Sequence, residues 1–136
     1  MGEILRKVKV CGLDVEGNVR GCRVVDAIVD TGATQSVIGS ELAHELGGQH
    51  IGVAAMVEGH KVPGTVLMVE LDASRCTPQA AAVIVDDGLA ERAAPAQMVL
   101  GHDYMQRTRV GILFSNEPAE TKVACHPRRA AKSRKR

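Results

Sequence analysis

Short apolar segments rich in β-branched residues alternate with turns along most of this chain, and this spacing limits the folds that it can adopt. Residues 7–10 alternate basic and apolar side chains, and residues 23–29 form a second apolar segment beyond a turn at residues 16–18. The same reasoning predicts strands in five further segments, residues 50–57, 62–71, 80–85, 97–100 and 110–114. About seven or eight closely spaced strands predict an all-β barrel or sandwich, and a doubly wound sheet is disfavoured because β and α units do not alternate.

Two short helices are predicted between these strands. Ser40 is placed to cap a helix over residues 41–46, which Gly47 ends. Residues 102–107 are predicted to form one or two helical turns, and residues 86–96 a loop.

The length and the scarcity of aromatic residues narrow the class of protein further. A chain of 136 residues suffices for about one domain and leaves no room for a two-lobed enzyme. It holds one Tyr, one Phe and no Trp, so its core must be built from Val, Leu, Ile, Ala and Met side chains. The same scarcity argues against binding of single-stranded nucleic acid, which needs several exposed rings.

Basic charge is concentrated at the end of the chain. Six of the 17 Lys and Arg residues lie in residues 126–136, which contain no acidic residue, and the first 125 residues hold the other 11 together with all 16 Asp and Glu residues. We therefore predict a domain over residues 1–115 and a disordered basic tail over residues 116–136. The tail is interpreted as a solubilising end, with weak contact to nucleic acid or to an anionic membrane as the alternative.

The four cysteines show no Cys-x-x-Cys spacing and the five histidines no metal-ligand spacing, so neither a metal site nor a cofactor is expected. Cys11 and Cys22 flank the predicted hairpin and could face each other across it, but we expect buried free thiols for all four, Cys11, Cys22, Cys76 and Cys125. The first residues lack the apolar core of a signal peptide, and no window approaches ~20 apolar residues. We therefore expect a cytoplasmic protein without a membrane span.

One stretch, residues 27–38, contains the residue types that indicate chemistry. An apolar strand leads into Asp30, Thr31 and Gly32, and small polar residues follow. The strand would present the Asp30 carboxylate at its end, and Gly32 permits a tight turn that brings backbone amides close to it. The Thr31 hydroxyl is able to bond backbone groups within an interface. On the tripeptide alone, a simple turn at the end of a strand is an equally good interpretation.

Four features follow one another in an order typical of one protein family. They are Asp-Thr-Gly-Ala within residues 28–34, apolar residues 37–39 before a short helix, a Gly-bearing turn within residues 56–64, and an apolar-apolar-Gly segment within residues 98–105. The first and the fourth are specific, whereas the other two are weak alone. Through these features the chain resembles the retropepsin-like, or retroviral-type, aspartic proteases over residues 5–115.

The resemblance implies a closed β-barrel-like half of an acid protease with one or two short helices, assembling as a two-fold homodimer. Each chain would supply one catalytic carboxylate, which agrees with the single Asp-Thr-Gly in this sequence. Two carboxylates within ~3 Å share a proton, so that one activates a water molecule while the other polarises the scissile carbonyl. The implied function is a homodimeric aspartic endopeptidase acting on extended peptide or protein substrates under a mobile flap, without cofactor or metal.

The resemblance also assigns a role to each matching residue. Asp30 is the implied catalytic residue. The residues implied to support it are Thr31, Gly32, Ala33, Leu100 and Gly101. The residues implied to bind substrate, in pockets or in the flap, are Ile28, Thr34, Val37, Met56, Glu58, Gly59 and Val99.

The chain departs from the family beside both specific motifs. Many retroviral members have acidic residues after Asp-Thr-Gly-Ala that pair with an Arg after the second Gly. This chain has Thr34 and Gln35 at the first place, and His102 follows Gly101 at the second. Without that ion pair we expect a weak dimer near neutral pH. Two alternatives to the protease stay open: a non-catalytic dimerising module that binds peptides on the same fold, and a small β-barrel that binds nucleic acid through the basic tail.

Overall fold

The computed structural model describes residues 3–30, 32–71, 78–104, 110–113 and 122–125. Within these ranges the chain forms nine strands, two short helices and a helical segment at residues 102–104, which is the described part of the helix predicted over residues 102–107. Their order is β1 (Glu3–Leu13), β2 (Val19–Asp30), β3 (Val37–Gly39), α1 (Ser40–Leu46), β4 (His50–Val57), β5 (His60–Leu71), β6 (Gln79–Asp86), α2 (Leu89–Ala93), β7 (Met98–Leu100), β8 (Val110–Leu113) and β9 (Lys122–Cys125).

Six of these strands close into a barrel. Hydrogen bonds join neighbours in the order β1-β2-β7-β3-β6-β5, and β5 pairs back with β1 to complete the ring. The β2–β7 and β3–β6 pairs are parallel, and the other pairs of the ring are antiparallel. β4 pairs with β5 outside the ring. Closure leaves no free edge within the ring, and this closed all-β barrel confirms the predicted fold class.

The core is aliphatic, as the composition requires. Every second side chain of the long strands points into the barrel, because successive side chains of a strand point to opposite faces. In β1, β2 and β5 the core cluster consists of Val8, Val10, Val25, Ala27, Val29, Leu67, Val69 and Leu71. Leu42 and Leu46 of α1 pack against this cluster, and Tyr104 is the largest fully buried side chain among the described residues. Each fully buried aliphatic side chain contributes about 1.5–3 kcal/mol to folding.

Helix α1 lies where the sequence predicts a helix, but it begins differently. Gly39 occupies the N-cap position and no side chain caps the helix, so the predicted cap at Ser40 is wrong, because Ser40 is already the first helical residue. Gly47 ends the helix as predicted, with a φ of 67° and an N–H that donates to the carbonyl of Ala43 at 3.2 Å. The predicted loop over residues 86–96 contains the short helix α2.

The hairpin of β1 and β2 turns beside Asp14. Its carboxylate accepts hydrogen bonds from the N–H groups of Glu16 at 2.9 Å and Asn18 at 2.8 Å. The bond from the Asn18 backbone is the largest cause that lowers the pKa of Asp14 below its ordinary value. Gly17 adopts the left-handed conformation in this turn, with a φ of 84°.

Cys11 and Cys22 lie directly opposite each other in this hairpin and form a disulfide bond. The expectation of buried free thiols is therefore wrong for this pair, because the register brings the two sulfurs together and Cys22 is exposed. Cys76 and the side chain of Cys125 lie outside the described part of the chain, so the expectation for them stays a prediction. Disulfides are rare in reducing compartments. The expected free thiols of Cys11 and Cys22 therefore no longer support a cytoplasmic location, which stays a prediction.

A second, two-stranded sheet is formed by the antiparallel pair β8 and β9. β9 falls within residues 116–136, which the sequence analysis assigns to a disordered tail, so four residues of that segment form a strand. Residues 126–136 lie outside the described ranges, and the domain boundary at residue 115 stays a prediction. No helix in the described part of the chain is long and apolar enough to cross a membrane.

Candidate active site

Asp30 and Gly32, the described residues of the Asp-Thr-Gly motif, lie at the end of β2 and in the turn that follows it. Asp30 is the last residue of that strand and is half-buried. One of its carboxylate oxygens accepts a hydrogen bond from the N–H of Gly32 at 2.8 Å, and its carbonyl accepts one from the N–H of Ala33 at 3.2 Å. The first bond orients the Asp30 side chain, and the second fixes the backbone of the turn that follows it. Thr31 lies outside the described residues, so its supporting role stays a prediction.

Three of the predicted substrate-binding residues form one row across the barrel wall. β7 lies between β2 and β3, and its Val99 pairs in register with Ile28 on one side and Val37 on the other. All three are half-buried, whereas the residues beside them in the strands face the core. The row is apolar, it ends two residues from Asp30 along β2, and it is suited to contact apolar side chains of a ligand.

The second specific motif packs directly against the first. Leu100 is buried and pairs with Val29, the residue before Asp30. A Cβ on Gly101 would lie 2.8 Å from the carbonyl oxygens of Ala33 and Gln35. Only a glycine fits there, because the loop after β7 and the turn after β2 are in backbone contact. Leu100, Gly101 and Ala33 are thus brought together beside Asp30, as the resemblance implies.

Two residues that the sequence analysis does not place in the site connect these loops. The Ser36 hydroxyl donates to a carboxylate oxygen of Asp103 at 2.8 Å and accepts from the N–H of Gly101 at 3.0 Å. The other carboxylate oxygen of Asp103 accepts from the N–H of Ser36 at 3.2 Å. Ser36 is 2% exposed. Nothing in the sequence indicates that Ser36 and Asp103 meet. The one available signal is that Ser36 is a small polar residue directly before an apolar strand, where its hydroxyl is able to bond nearby backbone groups.

The predicted flap residues Met56, Glu58 and Gly59 are exposed on the β4–β5 hairpin. The hairpin turns through Glu58, with a φ of 52°, and Gly59, with a φ of 82°, between the paired residues Val57 and His60. A two-residue turn with both φ values positive matches the twist of the strands that it joins. Within the described residues β4 pairs with β5 alone. The hydrogen bonds that join the Asp30 and Gly101 loops do not involve this hairpin.

The remaining predicted site residue, Thr34, is exposed in the loop between Asp30 and β3. No group of three or more His, Cys, Asp or Glu side chains within the described ranges is arranged to hold a metal ion. The chemistry available at this end of β2 is therefore that of a carboxylate oriented by backbone amides, beside an apolar row.

Comparison with known protein families gives one match that covers most of the barrel. A family model described as "Aspartyl protease" matches residues 15–104, which include Asp30 and Gly101. The chain therefore belongs to the aspartyl protease family, and the match confirms the resemblance predicted from the four motifs. A comparison with curated protein sequences finds no match.

Two solved structures are similar to this chain at low sequence identity. The EIAV protease, solved in complex with the inhibitor HBY-793, is 17% identical, with a TM-score of 0.48, over 77% of this chain and 86% of its own. The retroviral protease-like domain of Ddi1 from Leishmania major is 18% identical, with a TM-score of 0.40, over 79% of this chain and 76% of its own.

Proposed function

We propose that this protein is a homodimeric aspartic endopeptidase that hydrolyses extended peptides. The observation that most supports the proposal is the Asp30 carboxylate, which the Gly32 N–H orients at 2.8 Å at the end of a barrel strand. Membership of the aspartyl protease family supports the general class of activity.

Catalysis would require the Asp30 side chains of two chains. One carboxylate is a weak catalyst of amide hydrolysis, whereas two within ~3 Å share one proton because both cannot ionise at that distance. The ionised member then takes a proton from a water molecule, while the protonated member donates a hydrogen bond to the scissile carbonyl. The Gly32 N–H would hold each carboxylate at the angle that this exchange needs, and the Ala33 N–H would hold the backbone of the turn.

Substrate would lie along the apolar row beside the dyad. Ile28, Val99 and Val37 are in register across three strands and half-buried, which favours apolar side chains of a peptide over charged ones. The β4–β5 hairpin, with Met56 and Gly59 exposed near its turn, would act as the flap and hold the peptide through strand-like backbone hydrogen bonds.

The dimer is proposed to be weak near neutral pH. Like charges would meet at the two Asp30 side chains, and the family's acid–arginine pair is absent because Thr34, Gln35 and His102 stand in its place. Sedimentation should detect dissociation of the dimer at micromolar concentration at pH 7. A dimer that persists at low nanomolar concentration would contradict this expectation.

The absence of the acid–arginine pair also favours one alternative, a non-catalytic dimerising module that binds peptides. A dimer without that pair could retain the apolar row and the hairpin while its two Asp30 carboxylates fail to meet. Such a module would bind unfolded peptides without cutting them.

The test is a mass-spectrometric digest of an unstructured peptide mixture between pH 3 and 7.5. Wild type is compared with Asp30→Asn and with the control Asp87→Asn, whose carboxylate is exposed. We expect cleavage at apolar sites, with an acid-shifted optimum, by wild type and Asp87→Asn but not by Asp30→Asn. Equal cleavage by Asp30→Asn would overturn the proposal. A folded, dimeric wild type that binds the peptides without cutting any would establish the module instead.

A further inference from the structure

The Asp30 turn and the loop after β7 are joined by a short chain of hydrogen bonds. The N–H of Ala33 donates to the Asp30 carbonyl at 3.2 Å, and the N–H of His102 donates to the Ala33 carbonyl at 2.7 Å. Asp30 is therefore two hydrogen bonds away from the loop that carries Gly101 and Asp103. These backbone hydrogen bonds connect the position of that loop to the position of the Asp30 turn.

Ser36 and Asp103 hold this contact with side chains. The Ser36 hydroxyl accepts from the Gly101 N–H at 3.0 Å and donates to Asp103 at 2.8 Å, in a place that is almost fully buried. The carboxylate of Asp103 also accepts from the N–H of Ser36 at 3.2 Å and from its own neighbour, the N–H of Tyr104, at 2.7 Å. Hydrogen bonds to an ionised carboxylate are the stronger kind, and burial strengthens them further.

We propose that Ser36 and Asp103 are positioning residues for the Asp30 dyad. They act in place of the acid–arginine pair, whose positions are taken here by Thr34, Gln35 and His102. The pair fixes the Asp30 turn against the Gly101 loop, and so fixes how far each protomer carries its carboxylate toward the two-fold axis. This inference rests on the proposed protease function, because a positioning role has meaning only where two Asp30 side chains meet.

Loss of the pair should therefore change the chemical step more than substrate binding. Ser36→Ala removes the hydroxyl that joins Gly101 to Asp103, and the Asp30 turn gains freedom to move. We expect kcat to fall about 10- to 100-fold, as a misplacement of about 1 Å in a catalytic group produces, while KM changes by less than about threefold.

The pH dependence of kcat distinguishes a role in positioning the Asp30 dyad from a role in stabilising the fold alone. The active form of the dyad holds one proton, and its pH range is broad because each carboxylate opposes ionisation of the other. If the two side chains move apart, that opposition weakens, the second carboxylate ionises more easily, and the basic limb of the kcat profile moves to lower pH, which narrows the profile. A purely structural role would instead lower the rate at each pH only in proportion to the folded fraction at that pH.

The experiment measures kcat and KM for peptide cleavage from pH 3 to 7.5 in wild type, Ser36→Ala and Asp103→Asn. Asp103→Asn keeps the shape of the side chain and one acceptor oxygen, so it remains informative if Ser36→Ala does not fold. The matched controls are Ser40→Ala, whose hydroxyl makes no hydrogen bond among the described residues, and Asp87→Asn. Circular dichroism gives the folded fraction of each variant.

A lower kcat with a narrowed profile in Ser36→Ala or Asp103→Asn, and not in the controls, is the expected result. Wild-type kcat and profile in both variants would overturn the inference and leave the protease intact. A rate that falls at each pH only in proportion to the folded fraction would also overturn the inference. Absence of Asp30-dependent cleavage in wild type is a different failure, because it overturns the proposed function and this inference with it.

Discussion

Ile28 and Val99 pair in register although 71 positions separate them in the sequence, because β7 inserts parallel to β2 in the barrel wall. This insertion places the end of β7 beside the end of β2. The Gly101 loop consequently begins where the Asp30 turn begins, and the two loops share backbone hydrogen bonds. The contact between the two loops is therefore a product of strand order, whereas each loop is recognisable from its own local motif.

Replacement of Gly101 by Ala should destabilise the fold strongly. The added Cβ would lie 2.8 Å from backbone oxygens of Ala33 and Gln35, and backbone atoms cannot rotate away as a flexible side chain can. We expect a loss of about 3 kcal/mol in the free energy of unfolding, as overpacking in a tight site produces, measured by urea denaturation. The control is Gly52→Ala, whose added Cβ would meet no atom within 4 Å. Equal stability of the two variants would contradict the backbone contact.

The disulfide predicts that the stability of the barrel depends on redox conditions. Cys11 and Cys22 close a loop with a sequence separation of 11 between two strands of the ring. A bridge over so short a loop contributes about 2–3 kcal/mol, chiefly by restricting the unfolded chain. Reductant should lower the free energy of unfolding of wild type by that amount and leave Cys22→Ser unchanged. If wild type unfolds at the same denaturant concentration with and without reductant, the bridge does not form in solution.

Local pattern in the sequence is sufficient to predict much of the barrel. Period-two alternation identifies β1, and apolar flanks locate the turn after Asp30, since both features depend on neighbours in the chain. Helix α1 is predicted within one residue for the same reason, although Ser40 is drawn into the helix and leaves the N-cap to Gly39.

Features that depend on distant pairing are not predictable in this way. Ser36 and Asp103 meet only because β3 and β7 are neighbours in the sheet, and a single sequence does not contain that adjacency. The predicted hairpin allows Cys11 to lie opposite Cys22, but spacing does not decide between two thiols and a disulfide.

The turn of the β4–β5 hairpin predicts a stabilising substitution. Glu58 has a φ of 52°, a left-handed conformation that is unfavourable for a residue with a Cβ. Gly59, which follows it, adopts the same conformation. Asn tolerates this region better than Glu and forms the favoured Asn-Gly pair of such turns. Glu58→Asn should raise the free energy of unfolding by about 0.5 kcal/mol, as an exposed substitution can, whereas Gly59→Ala should lower it by about 1 kcal/mol. A gain in thermal stability from Gly59→Ala would contradict the left-handed conformation of this turn.

The ion pair of Asp86 and Arg92, which joins the end of β6 to α2, predicts a pH-dependent contribution to stability. The Arg92 side chain, followed by the Gly88 N–H, holds the pKa of Asp86 below its ordinary value of 3.8. A carboxyl whose pKa is lowered by folding stabilises the protein above its unfolded pKa, and this contribution is lost as the pH falls through the lower folded value. Asp86→Asn keeps the acceptor for Gly88 and removes only the charge, so we expect a loss of about 0.5 kcal/mol at pH 7, small because Arg92 is largely exposed.

The difference between wild type and Asp86→Asn should stay constant from pH 7 to about pH 5 and shrink below about pH 4. Denaturant unfolding at several pH values measures it, with Asp87→Asn as the control, because that neighbouring carboxylate is exposed and forms no ion pair within the described residues. If this difference in the free energy of unfolding grows as the pH falls, the prediction is contradicted, because folding would then raise the pKa of Asp86 instead of lowering it.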